Sequence, residues 1–345
     1  MTSIQTLREE YRAQKTATLQ AVQDSGASAR GIRKFLHRLA GHADRALQGL
    51  WQQADFPDSF ALLAVGGFGR AELFPHSDVD VLVLLPDGQD PDADAALKQR
   101  IEGFIGSCWD AGLEIGSSVR TVTECVDEAA KDVTVQTSLL EARRVTGNAA
   151  LVSLFEQRFR AALDPHAFLV AKTLEQRQRH NKFEDTPYSL EPNCKESPGG
   201  LRDLQTILWV SKAAGFGRTW DELAANGLAT SYEVRQIKRN EALLSLIRAR
   251  LHITAHRRED RLVFDLQNAV AEAFGYRQEE GAHKQAMRAS EVLMRRYYWA
   301  AKAVTQLNQI LLLNIADRLN PSTHVPTPIN ARFLDKAGMV EVVDD

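Results

Sequence analysis

Two carboxylates and two glycines set the chemistry open to this chain. In LLAVGGFGRAELFPHSDVDVLVLL, residues 62 to 85, ten residues separate a Gly66-Gly67 pair from Asp78-Val79-Asp80. Side chains alternate along a strand, so two aspartates separated only by Val79 project the same way. Their mutual repulsion is relieved by a divalent cation, and magnesium suits the pair because it takes oxygen ligands and shares them with substrate phosphates; manganese is the alternative. Gly66 and Gly67 allow a tight turn that brings backbone N–H groups up to an anion at the start of a helix. Together these parts make a nucleoside-triphosphate site. Two metal ions about 3.5–4 Å apart would activate an attacking oxygen and stabilise the departing pyrophosphate. A P-loop is excluded, since no Gly-Lys-Ser/Thr follows. The dinucleotide fingerprint fails as well, because Glu72 takes the place of its third glycine.

Positioning such a site requires a small sheet. The pattern predicts strands at 61 to 65, 79 to 85 and 113 to 121, a short helix at 67 to 73, and a longer one at 94 to 111. Residues 4 to about 52 read as two helices broken at Ser25-Gly26-Ala27-Ser28, with Ser28 as the cap of the second. After about 150 the strand signals fade and helical periodicity takes over. Leu243, Ile247 and Leu251 recur every four residues, with Arg248 and Arg250 placed on other faces. Residues 185 to 200, DTPYSLEPNCKESPGG, read as an ordered loop at a domain junction.

The chain has 345 residues, enough for two domains, 44% apolar and 25% charged residues, and a formal net charge of -3. No run of about eighteen or more apolar residues is present, and the charged start MTSIQTLREEYRAQK has no export pattern. Three separated cysteines, Cys108, Cys125 and Cys194, fit a reducing compartment and no zinc site. A cytoplasmic protein without membrane or nucleic-acid partners is expected.

The Gly66-Gly67 pair followed by Asp78-Val79-Asp80 resembles the signature of the polymerase-β-like nucleotidyltransferase superfamily. Together with GSSVRTVTECVDEA, TSLLEARRVTG and PNCKESPGGLRDLQTILWV, it resembles the amino-terminal part of the bifunctional uridylyltransferase/uridylyl-removing enzymes of bacterial nitrogen regulation. The resemblance implies an α+β fold: helices at 1–55, a nucleotidyltransferase domain with a small mixed sheet at 56–150, an all-α helical domain at 151–320, and an extension at 321–345. It implies UTP as donor, magnesium, and transfer of UMP to a tyrosine of the small PII signalling protein. In that family an HD-type hydrolase and two ACT domains follow. Here none of the nine histidines precedes an aspartate, so this chain is expected to hold the transferase half without the C-terminal HD and ACT domains.

Asp78 and Asp80 are the expected metal ligands. A third carboxylate is usual in the superfamily; Glu114 and Glu141 are the candidates, with Glu114 favoured. Arg70 is expected to meet the triphosphate, with Glu72 either holding Arg70 or capping the helix, and His76 and Ser77 to orient nucleotide or metal-bound water. In Glu196-Ser197-Pro198-Gly199-Gly200-Leu201-Arg202-Asp203 a helix start is expected to face the nucleotide across the cleft, with Lys195 and Arg202 on phosphates and Gly199, Gly200 and Asp203 in the site. Between 235 and 261, eight Lys/Arg oppose three acids, either a solvated face or a docking or triphosphate-facing surface. Two other readings remain: a nucleotide-binding regulatory module without catalysis, and an adenylyltransferase acting on another protein. The latter would carry a D-x-R-L-R-P segment where this chain has GSSVRT.

Overall fold

The structure, a computed structural model, describes residues 3–24, 28–276, 288–321, 327–336 and 339–342. Two antiparallel-packed helices come first, α1 (Ile4–Gln23) and α2 (Ile32–Ala54). The break expected between them at Ser25-Gly26-Ala27 lies outside the described residues. Ser28 does not cap α2: Gly31 occupies that position, and the Ser28 hydroxyl accepts instead from the Arg30 N–H.

A four-stranded sheet follows, in the order β3 (Ile115–Thr121), β2 (Val79–Leu85), β1 (Ala61–Ala64), β4 (Arg143–Gly147). β1 runs antiparallel to β2 and β4, whereas β2 and β3 are parallel. Apart from Asp80, every residue of β2 is buried. This explains its unbroken apolar run, since a strand covered on both faces has no polar alternation. The covering helices include α4 (Ala95–Asp110) and α7 (Ala149–Ala162). The helix expected at 67 to 73 is the single turn α3 (Gly66–Gly69).

Two short helices, α5 (Val122–Lys131) and α6 (Val133–Leu140), escaped the periodicity reading along with β4. Their starts are nonetheless written locally. Thr121 and Glu124 form a reciprocal capping box for α5, and Asp132 accepts from the Thr134 N–H to cap α6.

From Ala149 to Leu319 the regular elements are helices: α7, α8 (Pro165–Lys182), α9 (Leu201–Ala213), α10 (Trp220–Ala225), α11 (Ser231–Ala255), α12 (Phe264–Ala273) and α13 (Ala289–Leu319). One apolar core runs from Tyr11 through Leu62 and Phe155 to Tyr297. α11 departs from the amphipathic pattern, because Leu244 to His252 are buried all round, Arg248 and Arg250 included. Three short strands, β5 (Thr327–Pro328), β6 (Phe333–Lys336) and β7 (Met339–Val342), form a separate antiparallel sheet that the sequence did not announce. Among the described residues, no helix is long and apolar enough to cross a membrane.

Candidate active site

The turn between β1 and α3 faces the start of β2 across a cleft of about 310 Å³. Gly66 has φ +56°, a left-handed conformation that favours glycine, and a Cβ there would lie 3.6 Å from Asp80 Oδ2 and 3.7 Å from Ser138 Oγ. Beneath Asp80, its register partner on β3 is Gly116, where a Cβ would stand 2.6 Å from Asp80 Oδ1. A residue with a side chain at this point would push the carboxylate away.

Of the residues expected in the site, Gly66, Gly67, Arg70, Ser77, Asp78, Asp80, Lys195 and Arg202 line the cleft. Arg70 Nε donates to Glu72 Oε2 at 3.0 Å, so Glu72 holds it as expected. Arg202 donates to Glu196 and Gln205 and lies over the Trp209 ring.

Six expected residues are elsewhere, and each placement has a physical cause. Glu114 is exposed and precedes β3, on the side of Tyr11 and Lys15 of α1. Glu141 is buried behind the cleft, 4.0 Å from Arg70 Nε and 3.5 Å from Lys212 Nζ. Gly199 and Gly200 are buried shapers of the loop: a Cβ on Gly199 would lie 2.2 Å from the Ala301 carbonyl oxygen. Asp203 is fully buried and accepts from Arg179, His180 and the Gly199 N–H. The first N–H groups of α9 do not point at the cleft, since Leu201 and Arg202 donate to the carbonyls of Cys194 and Lys195. His76 also lies off the cleft lining; its N–H donates to His252 Nδ1, and burial followed by nearby cations brings its pKa down to about 4.

Other cleft residues went unrecognised. Lys172 of α8 is buried over the Trp209 ring at 4.6 Å and donates to Glu175. Its sequence signal was a lysine on the stripe of Phe168 and Leu169. Thr134, Thr137 and Ser138 enter from α6. From the basic run, Arg248 and Arg258 line the cleft; Arg248 is fixed by Asp260, and Arg258 Nη1 donates to Asp78 Oδ2 at 2.5 Å. Six cations therefore face the aspartate pair and the three carboxylates Glu72, Glu175 and Glu196. Each of those three is already ion-paired, with Arg70, Lys172 and Arg202 respectively. The surplus of positive charge suits a polyphosphate.

The aspartate pair fits a divalent cation. Burial, and after it Asp78, raises the pKa of Asp80, while Arg258 and Lys195 oppose the shift. A cation between the carboxylates removes that cost, and Arg258 already supplies one positive group at Asp78. Among the described residues no third His, Cys, Asp or Glu joins the pair.

Gly67→Val tests the turn. Its Cβ would meet nothing closer than 3.7 Å, so the fold tolerates a side chain there. We expect unchanged thermal melting and nucleotide affinity weakened by about tenfold or more, since the backbone could no longer be approached. A lower Tm with unchanged affinity would leave the turn a purely structural role.

Residues 13–129, which carry the glycine turn and the paired aspartates, match the family described as putative nucleotidyltransferase DUF294. Residues 167–312 match the family described as GlnD PII-uridylyltransferase. Across 98% of its length the chain is 57% identical to the bifunctional uridylyltransferase/uridylyl-removing enzymes of Burkholderia orbicola (strain AU 1054) and Burkholderia vietnamiensis (strain G4), and 56% identical to that of Burkholderia mallei (strain SAVP1). The resemblance drawn from the motifs thus holds along nearly the whole chain. The chain spans 38% of the length of these relatives.

Proposed function

We propose that this chain transfers UMP from UTP to a tyrosine hydroxyl of the PII signalling protein, releasing pyrophosphate, in nitrogen regulation. The observation that carries the reading is Asp80 facing the Gly66 turn inside a cleft lined by six cations, of which Lys172 and Arg248 are buried. The relatives' names support the uridylyl group, and the matched family's description supports PII as the acceptor protein.

In this reading Asp78 and Asp80 hold magnesium, which when bound neutralises triphosphate charge and polarises the phosphate under attack. The Gly66-Gly67 backbone and Arg70 grip the outer phosphates, while Lys172, Lys195, Arg202 and Arg248 surround the rest. These groups act by positioning the donor for in-line attack and by stabilising the charge that moves to pyrophosphate. Glu72, Glu175 and Glu196 are each committed to a cation, so the group that draws the proton from the acceptor hydroxyl is not among them. In a longer protein, the HD and ACT domains named above would remove UMP and sense glutamine.

Incubation with each nucleoside triphosphate, magnesium and PII, followed by mass measurement, tests the proposal. A UMP adduct on a PII tyrosine from UTP alone is expected. An adduct from ATP on another target instead would favour the adenylyltransferase reading.

Lys195 adds a pH dependence. Burial lowers its pKa, Arg202 and Arg248 lower it further, and the group titrates at about 8. The ammonium form, which attracts phosphate, is complete below that pH and lost above it. UTP affinity should therefore fall as pH rises through about 8, by up to about tenfold per unit. Lys195→Arg keeps its charge and should abolish the fall. A profile identical in the two proteins would remove Lys195 from the phosphate site.

A further inference from the structure

A second cavity, of about 430 Å³, opens at the other ends of two of the helices that line the cleft, α6 and α9. On α6, Thr134 and Ser138 face the cleft while Leu139 and Leu140 face the second cavity; on α9, Arg202 and Trp209 face the cleft while Lys212 and Ala213 face the second cavity. Its floor is apolar, completed by the buried rings of Phe155 and Phe159. Three cations stand around it, Arg160, Lys212 and Arg218, with two acids, Glu156 and Glu222. Glu222 is engaged by the Arg218 backbone N–H at 2.7 Å.

Lys212 connects this cavity to the cleft. Its Nζ lies 3.5 Å from Glu141 Oε1, and the other oxygen of that buried carboxylate lies 4.0 Å from Nε of Arg70. One carboxylate thus serves a cation in each cavity. The main chain is coupled too, because a Cβ on Gly69 would lie 2.2 Å from the Glu141 carbonyl oxygen, so the glycine turn cannot shift independently of the Glu141 segment. Burial lowers the Lys212 pKa; Glu141 works against this, while Arg218 adds to it. Another anion beside Lys212 would therefore be stabilised.

We propose that this second cavity binds a small organic anion, a carboxylate on an apolar body, and that its occupancy weakens nucleotide binding in the cleft through Glu141. The incoming carboxylate competes with Glu141 for Lys212, and the Glu141 charge then falls more fully on Arg70, drawing the guanidinium back from phosphate. The apolar body lies against Ala142, Leu163 and Ala213, which the cavity leaves partly exposed. Binding in the cavity stands independently of the proposed transfer reaction, and only the coupling rests on it.

The probe is 4-phenylbutyrate, compared with the neutral 4-phenylbutanol by calorimetric titration of the whole chain. The acid is expected to bind in the millimolar range and about tenfold more tightly than the alcohol. Lys212→Met should erase that preference. Arg218→Met, the exposed rim cation that acts on Lys212, repeats the test should Lys212→Met be misfolded by circular dichroism. With magnesium and UTP, saturating 4-phenylbutyrate should weaken UTP by about threefold or more, and UTP should weaken the acid by the same factor. Equal binding of acid and alcohol, or a preference surviving substitution of the lysine or its rim partner, would overturn the site. Independent binding of the two ligands would overturn the coupling. Failure of UTP to bind at all would count against the transfer reaction and leave the acid-versus-alcohol comparison to decide the site by itself.

Discussion

Replacing Asp78 or Asp80 by asparagine is expected to lower nucleotidyl transfer by about 10²-fold or more while the protein keeps its fold. Asparagine preserves volume but removes the charge that a divalent cation needs. The two positions should differ in their secondary effects. Asp80 is enclosed between the Gly66 turn and Gly116, and loss of its charge removes a buried repulsion, so Asp80→Asn should melt at or above the temperature of the parent. Asp78 is half-exposed and bound to Arg258; freeing that arginine should have little effect on melting, as for other exposed pairs. Retention of most of the activity by either variant would remove these carboxylates from the reaction.

Asp203→Ala should destabilise the protein by ~3–5 kcal/mol, the usual cost of removing one partner from a buried ion pair. The carboxylate is wholly enclosed and receives Arg179 Nη2 at 2.6 Å, His180 Nε2 at 2.9 Å and the Gly199 N–H at 2.8 Å. Its removal strands a guanidinium that is itself almost buried and frees the loop that carries Lys195 and Glu196. Urea unfolding measures the loss. Unchanged stability with a selective fall in nucleotide affinity would instead return Asp203 to the ligand site, where the family resemblance had placed it.

That case shows where the sequence was and was not legible. The aspartate pair, the glycine pair and the strands bearing them lie within a short stretch, so alternation and turn chemistry placed them without tertiary information. The segment from Glu196 to Asp203 was recognised as more than a linker, but its direction was not. Whether a helix start faces a ligand or its own loop depends on which carbonyls fold back onto it, and here those of Cys194 and Lys195 do. Glu114 failed for a related reason. Alternation puts it on the face of Gly116, yet it precedes β3 and lies toward α1, and the position opposite Asp80 is taken by a glycine because the aspartate needs that space. Arg248 and Arg258 were visible only as part of a charged run. Nothing local distinguishes an arginine fixed by Asp260 in a cleft from one in solvent, such as Arg257. The stripe containing Phe168, Leu169 and Lys172 was the clearest signal overlooked, since a lysine on a buried face needs an anion or an aromatic ring, and it has Glu175 and Trp209.

The most direct measurement is a crystal structure of this chain with manganese and a UTP analogue that cannot be hydrolysed between its α- and β-phosphates. The account predicts an anomalous peak between Asp78 and Asp80, the outer phosphates against the Gly66-Gly67 backbone, Arg258 withdrawn from Asp78, and Lys195 and Arg202 on phosphate oxygens. Manganese bound away from both aspartates, or a triphosphate seated outside this cleft, would contradict it.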